Sequence, residues 1–482
     1  MRTLGSSLLC SCWLAWVSLA CTTSEGDPPA SVSTDAAVGV EVSAEVTAAD
    51  GGVTGDTATI DVPRDLGQPD LPTVPDIADD AAQSDATDVL ALPDVAPDLG
   101  ADTAPDTGPD VPDVPDAGPP YWPDLPAGYA QTHVEAAKVN NGGMTDSLAL
   151  EAPPNAVSFM VLLDGPPPTV YLRPANLVTP SGSPIVKNTG DVTCVPCVNR
   201  VIADQVLATT LVPNSPEVPF DSEGKYKLQV REFVVEQLPQ GGYKIANYNK
   251  TPPNVRVLFK TSTTTPTQGT LDLNLWFTGA GALTAATAPT APRVVTMLAD
   301  LNTILATAGI TVGKVTYQDC PVDTPQTITT TIAVDSDLGK LFALGAEAPP
   351  GINVFFVSAI AKEELEGQPG IVLGIAGGIP GPPWLAQGSP HSGVAVDLLS
   401  TQGEPDRLGA VLAHELGHYL GLFHTTERQA EGADPKLATH DPIGDTPEFD
   451  KTNLMWWAAE GGVTLTPGQR FVMLRHANVW LP

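Results

Sequence analysis

Residues 411–424 read VLAHELGHYLGLFH, an apolar run with the look of a buried helix that nevertheless carries a glutamate and three of the chain's seven histidines. His414 and His418 are four residues apart, so on a helix their imidazoles project from one face, one turn above the other. That is the arrangement of two nitrogen ligands to a single Zn²⁺. Glu415 stands beside the first, where a carboxylate reaches an activated water without joining the ligand set. Gly421 comes three residues after His418, and glycine accepts the left-handed conformation that ends a helix. The chain can then turn sharply and return His424 as a third ligand. Three protein ligands leave a fourth position for water, the mark of a catalytic zinc site rather than a structural one. A lone histidine in an apolar helix is more often a core residue, whereas HExxHxxGxxH matched at all five defined positions is a specific signal. Glu404, Pro405 and Asp406 place the helix start just upstream, since proline is tolerated in a first turn and acids favour the positive end of the dipole.

The rest of the chain determines where such a site is deployed. The formal net charge of −33 over 482 residues conceals two materials. Residues 22–120 hold 22 acidic residues against Arg64 alone, a balance of −21, in PD, DVP and AP units. Such a segment buries too little apolar surface to offset its ordering entropy, and reads as a disordered, self-repelling tether. Residues 121–482 carry 34 acidic and 21 basic residues, a balance of −13 with no basic patch, which argues against nucleic acid as a partner.

The first residues, MRTLGSSLLCSCWLAWVSLAC, have an early positive charge at Arg2 and an apolar stretch over Leu8–Ala20, the shape of a secretory signal. Their end resembles a bacterial lipoprotein signal, which implies lipidation of Cys21 and a membrane anchor in the cell envelope, at the outer membrane or cell surface. Ser18 stands where that pattern more often has leucine. The alternative is a simple signal cleaved nearby and a secreted protein.

After the tether, residues 121–265 show short alternating or β-branched runs, AVSFMVLLDG, TVYLRPANLV, YKLQVREFVVEQL and NVRVLFK, which predict an antiparallel, sandwich-like domain. Nothing in it gathers catalytic residue types. Cys194-Val-Pro-Cys197 lacks the second CxxC of a zinc site and the βαβ context of a redox motif, so with Cys320 it reads as a source of one disulfide and one leftover thiol, partners unassigned. From about residue 266 the pattern alternates: LDLNLWFTG, ITVGKVTY, INVFFVSAI and GVAVDLL predict strands. Val294, Leu298, Leu301 and Leu305 fall at helical spacing up to Gly309. This predicts an α/β (α+β) domain over 266–482, with a twisted mixed sheet and the active-site helix. His391 and His440 are loop residues that either line the cleft or are simply exposed. The run VLGIAGGIPGPPW is a mobile cleft wall or tight packing.

Further motifs carry a family resemblance over the last 80 residues or so. HExxHxxGxxH, the later NLMWW containing Met455, the DTP of HDPIGDTPE, and LTPGQ together resemble the pappalysin-like metzincin metalloproteases. The resemblance implies a zinc endopeptidase acting on protein or peptide substrates, with His414, His418 and His424 as zinc ligands, Glu415 as general base and Met455 in the turn beneath the metal. It also implies that GVAVDLLS is an edge strand on which an extended substrate lies. The loop before the methionine turn would bind Ca²⁺ through Asp441, Asp445 and Thr446, with a turn held by its own aspartates as the alternative. Two departures stand out: Trp457 occupies a position where several metzincins have tyrosine, and no cysteine follows Cys320. The rival expectation is a surface binding or adhesion lipoprotein with a catalytically silent metal site.

Overall fold

The sandwich strands follow from period-two burial. Strand β2 (Leu148–Ala152) turns Leu148, Leu150 and Ala152 inward and Ala149 and Glu151 outward. Around it run β1 (Tyr129–Val134), β3 (Ala156–Asp164), β4 (Tyr171–Val178), β5 (Pro184–Val186), β6 (Thr193–Cys194), β7 (Val201–Ile202), β8 (Asp204–Gln205), β9 (Ala208–Val212), β10 (Gly224–Gln237), β11 (Tyr243–Tyr248) and β12 (Asn254–Thr261). They form an antiparallel sheet in the order β1-β12-β3-β9 and a second in the order β11-β10-β4-β5, with β2 on β10 and β8 on β4. One core, including Phe159, Val161, Val257, Leu172, Tyr226 and Val230, lies between the two sheets. The small β6-β7 hairpin is closed by a Cys194–Cys197 disulfide, and Cys320 is the free, buried thiol among the described residues.

This computed structural model describes residues 124–134, 138–189, 192–237, 243–361, 372–403, 406–427, 439–458 and 461–482. The stretch read as a secretory signal, Cys21 and the acidic stretch 22–120 lie outside the described residues, as do Glu404 and Pro405. No helix among the described residues is long and apolar enough to cross a membrane.

From β13 (Gly269–Phe277) onward the chain alternates strand and helix. Helix α1 (Pro292–Thr307) starts with proline in its first turn and buries Val294, Met297, Leu301, Ile304 and Leu305. Leu298 is only half-buried against that core, and Gly309, at φ +73°, turns the chain into β14 (Ile310–Asp319). A small parallel pair, β15 (Thr327–Thr329) with β17 (Ala359–Ala361), flanks α2 (Asp337–Ala343) and β16 (Ile352–Val357). Strands β18 (Gly374–Ala376) and β19 (Val394–Asp397) precede α3 (Leu408–Tyr419), the helix of the opening stretch. Beyond it lie the pair β20 (Thr426–Glu427) and β21 (Thr439–His440), then α4 (Pro467–Met473) and β22 (Val479–Trp480).

The larger sheet runs β14-β13-β16-β19-β18, parallel except for β18, with β22 antiparallel on β13. Every residue of β16 is buried, as a central parallel strand requires. Two expectations are corrected here. Strand β19 is not the edge, because it pairs with β16 on one side and β18 on the other; among the described residues the edge strand is β18, inside the glycine run read as a cleft wall or as tight packing. The helix begins at Leu408 rather than around residues 404–406, because Asp406 is held outside it. Its carboxylate receives Arg293 at 2.6 Å and accepts the Leu408 N–H at 3.0 Å.

Residue 265 lies on the connector between β12 and β13, yet the layers on either side share a core. Met160, Leu162 and Leu258 of the sandwich belong to the same buried cluster as Leu273 of β13 and Leu412 of α3.

Candidate metal centre

Helix α3 ends as its sequence requires. Gly421 takes φ +103°, its N–H donates to His418 O, and the Leu422 N–H donates to Gly417 O, both at 2.9 Å. This is a left-handed cap that a side chain would strain. The turn delivers His424, and the ligand nitrogens of His414, His418 and His424 all lie within 4.8 Å of one another, in residues at most 3% exposed. The Nε2 atoms of His414 and His418 each lie 3.2 Å from Nε2 of His424. On the other side of two rings, His414 Nδ1 faces Leu454 O at 2.6 Å and His418 Nδ1 faces Leu422 O at 2.8 Å. A carbonyl only accepts, so each Nδ1 carries the hydrogen and each Nε2 keeps its lone pair. Burial, and then the His424 ring, push His414 down to about 3; burial and the two neighbouring rings lower His418 as well. Neutral imidazoles whose lone pairs converge in a buried pocket could hold a metal ion.

Glu415 is fully buried beside this cluster, under the edge strand. A Cβ on Gly374 of β18 would come within 2.6 Å of Glu415 Cγ, so glycine is what lets strand and carboxylate approach. Gly417 plays the same part below, where a Cβ would meet Met455 Sδ at 2.6 Å. Met455 thus lies directly against the helix between the first two histidines. Its turn is tied down by residues the sequence motifs contain without revealing their purpose. Met455 N donates to Asn453 Oδ1, and Asn453 exchanges two 2.9 Å amide bonds with Gln469. Gln469 closes a capping box with Thr466 at the start of α4.

The expected calcium donors divide. Asp441 accepts from Thr446 Oγ1 at 2.6 Å and from Ile443 N at 3.0 Å, and burial raises its pKa to about 6. Asp445 turns instead to α4, where it accepts from Thr466 Oγ1 and Gly468 N. Trp457 is half-buried and packs against Trp456, with ring centroids 5.8 Å apart. Neither His391 nor His440 joins the converging nitrogens among the described residues. His391 instead sets Nδ1 against Gly377 O at 2.6 Å and Nε2 against Gln205 O at 3.0 Å, and Nδ1 of His440 meets Thr425 O.

Fold and site together define a buried three-histidine centre on a mixed α/β sheet. No protein-family model matches the chain, and no curated protein matches it. Among solved structures it is similar to metalloproteinase-II from Bacteroides fragilis, at 14% identity and a TM-score of 0.24, over 44% of this chain and 58% of that one.

Proposed function

We propose that the chain is an exported, zinc-dependent peptidase, a metzincin of the pappalysin-like kind, anchored by a lipid on Cys21 and standing on the acidic segment 22–120. The orientation of the imidazoles carries this reading. Two Nδ1 hydrogens are committed to backbone carbonyls, which turns the opposite lone pairs toward one point, and Nε2 of His424 lies 3.2 Å from Nε2 of each of the other two. Tetrahedral Zn–N bonds of about 2.0–2.1 Å require about 3.3 Å between ligand nitrogens. Lone pairs packed this closely repel unless a cation lies between them.

Bound zinc would supply Lewis acidity, lowering the pKa of water towards about 7 and polarising a carbonyl. Glu415 then takes the proton of the attacking water and passes it to the leaving amine, while the hydroxyl joins the acyl carbon and the C–N bond breaks. Strand β18, paired on one side with β19 among the described residues and lying against Glu415 through Gly374, is where an extended peptide would add main chain to main chain. A peptide bond is therefore the natural substrate. Calcium in the loop before the methionine turn would rest on Asp441 and Thr446, since Asp445 serves α4.

The test is a peptide library offered to the full chain. Glu415→Gln should retain zinc and lose about 10²- to 10⁴-fold in kcat, and a chelator should stop the wild type. Cleavage indifferent to the chelator, or equal in both proteins, would leave the surface-binding reading standing. Mass spectrometry of the mature N-terminus tests the anchor, which requires diacylglycerol on Cys21.

A further inference from the structure

A pocket of about 420 Å³ lies at the join of the sandwich and the α/β layer. The sandwich lines it through Phe220 and Ser222, the connector between β12 and β13 through residues 262–266, and the end of α4 through Phe471 and Arg475. Its volume is within the range of about 300–1,000 Å³ usual for small-molecule sites. Neither Glu415 nor any of the three converging histidines lines it.

Among the described residues Arg475 is the one charged member of this wall, and it is only 8% exposed. Its guanidinium carbon lies 3.3 Å over the centre of the Phe471 ring, and Nη1 donates to Phe471 O at 3.0 Å. That bond caps the last turn of α4 with one of five N–H groups, and Nε is buried without a partner. Burial pushes the pKa down to about 10, which leaves the side chain charged at neutral pH.

The surroundings add positive charge and no counter-charge. Lys260, just before the connector, donates to the carbonyls of Leu474, His476 and Val479, and Arg470 donates to Thr267 O. Among the described residues none of these three cations forms an ion pair. Two acids beside the lining residues in sequence turn elsewhere: Glu217 accepts from Gly444 N and Asp221 from Ser181 N. Residues 121–482 hold 34 acidic and 21 basic residues, so three cations without acids in one place run against the composition. Buried charges are ordinarily paired, and a concave site with one sign of charge draws the other.

We infer that this pocket binds a small organic acid, with its carboxylate on the Arg475 guanidinium and its apolar body against Phe220 and Phe471. A single carboxylate matches a single planar fork. A phosphate dianion would call for a second cation, and Lys260 and Arg470 spend their donors on backbone carbonyls. Ser222, Thr263 and Thr265 are exposed on the wall and offer hydroxyls to the remaining carboxylate lone pairs. The site is independent of the peptidase reading. Because both layers line it, the acid binds only the folded join and stabilises it by mass action.

The experiment is calorimetric titration of the full-length zinc protein with phenylacetate and with phenylacetamide, its neutral counterpart. Phenylacetate should bind about tenfold or more tightly than the amide, the worth of a charge-assisted hydrogen bond, and should raise the melting temperature. Arg475→Lys keeps the charge but loses the fork, and should weaken phenylacetate about tenfold. Ser222→Tyr, at an exposed position, leaves the guanidinium in place and should block binding by filling the pocket, which keeps the test decisive if the arginine variant does not fold. Equal binding of acid and amide, no binding of either, or undiminished binding by both variants would overturn the inference. Inorganic phosphate displacing phenylacetate as well as phenylacetate itself does would overturn the choice of a carboxylate. Binding that survives Arg475→Lys and disappears with a chelator would put the acid on the three-histidine centre and overturn the site.

Discussion

Gly417 shows how much a single position in the ligand helix carries. Its neighbours on the chain are Leu416 and His418 of the three-histidine cluster, and an alanine there would gain helix propensity. Yet a Cβ would lie 2.6 Å from Met455 Sδ. Gly417→Ala should therefore push the methionine turn away and destabilise the fold by about 1–3 kcal/mol, the usual cost of overpacking, with a matching loss of zinc affinity measured by competition with a chromogenic chelator. A second residue sets an acid limit. His476 is fully buried, with Nε2 facing Gly381 O at 3.0 Å and Nδ1 accepting from Asn478 N. Burial lowers its pKa to about 3, opposed by the Gly381 carbonyl and assisted by Lys260. Between about 6.5 and 3 the unfolded chain binds the proton that the folded one refuses, so stability falls as pH falls, by about 1.4 kcal/mol per unit. His476→Gln should lose less stability than the wild type between pH 7 and pH 4, in urea titrations with chelator in both arms so that zinc release does not intervene. The three converging histidines were legible in the sequence because metal chemistry imposes residue types at fixed spacing. Gly417 and His476 were not, because their constraint is a neighbour distant in sequence.

At the scale of elements, the motifs around the site are fastenings between helices and turns. The carboxylate of Asp445 meets Thr466 and Gly468 at the head of α4, and Gln469 of the same helix holds Asn453, which orients the methionine turn whose Leu454 carbonyl fixes the His414 ring. Gln469→Ala strips a buried amide of both its bonds, costing about 1–3 kcal/mol. Since the chain of contacts ends on His414, a proposed zinc ligand, zinc affinity should also fall, and calorimetric zinc titration should show it. An unchanged zinc constant would mean that the turn holds without α4. Long periodic elements were readable: β13, β16 and α1 lie where alternation and helical spacing put them. The edge strand was not, because β18 is only Gly374-Ile375-Ala376, too short for a period and hidden in a run of glycines. The helix start was displaced because the tie between Asp406 and Arg293 spans 113 residues of sequence.

For the molecule as a whole, the decisive feature is the join between the sandwich and the α/β layer, and Lys260 is its centre. In NVRVLFK it looks like an ordinary strand-end cation, but its ammonium sits among three carbonyls at the C-terminal end of the chain, two of them at 2.8 Å. Only the charged form has three N–H groups to satisfy them. Burial, followed by Arg475, nevertheless lowers its pKa. Lys260→Met keeps the length of the side chain and leaves the carbonyls without donors. The relieved desolvation of the charge offsets part of that loss, so the net cost should be about 3 kcal/mol. Because the two layers share a core, that cost should appear in one cooperative transition and not as early release of the sandwich. The same reasoning extends to the metal. Zinc bound only by the folded state adds stability of RT ln(1 + [Zn]/Kd), about 4 kcal/mol at a thousandfold excess over Kd. With a common core, chelation should lower the melting temperature reported by sandwich tyrosines and by the tryptophans of the α/β layer by the same amount. Two separated transitions after chelation, with the sandwich signal unmoved, would mean that the sandwich folds independently of the three-histidine centre.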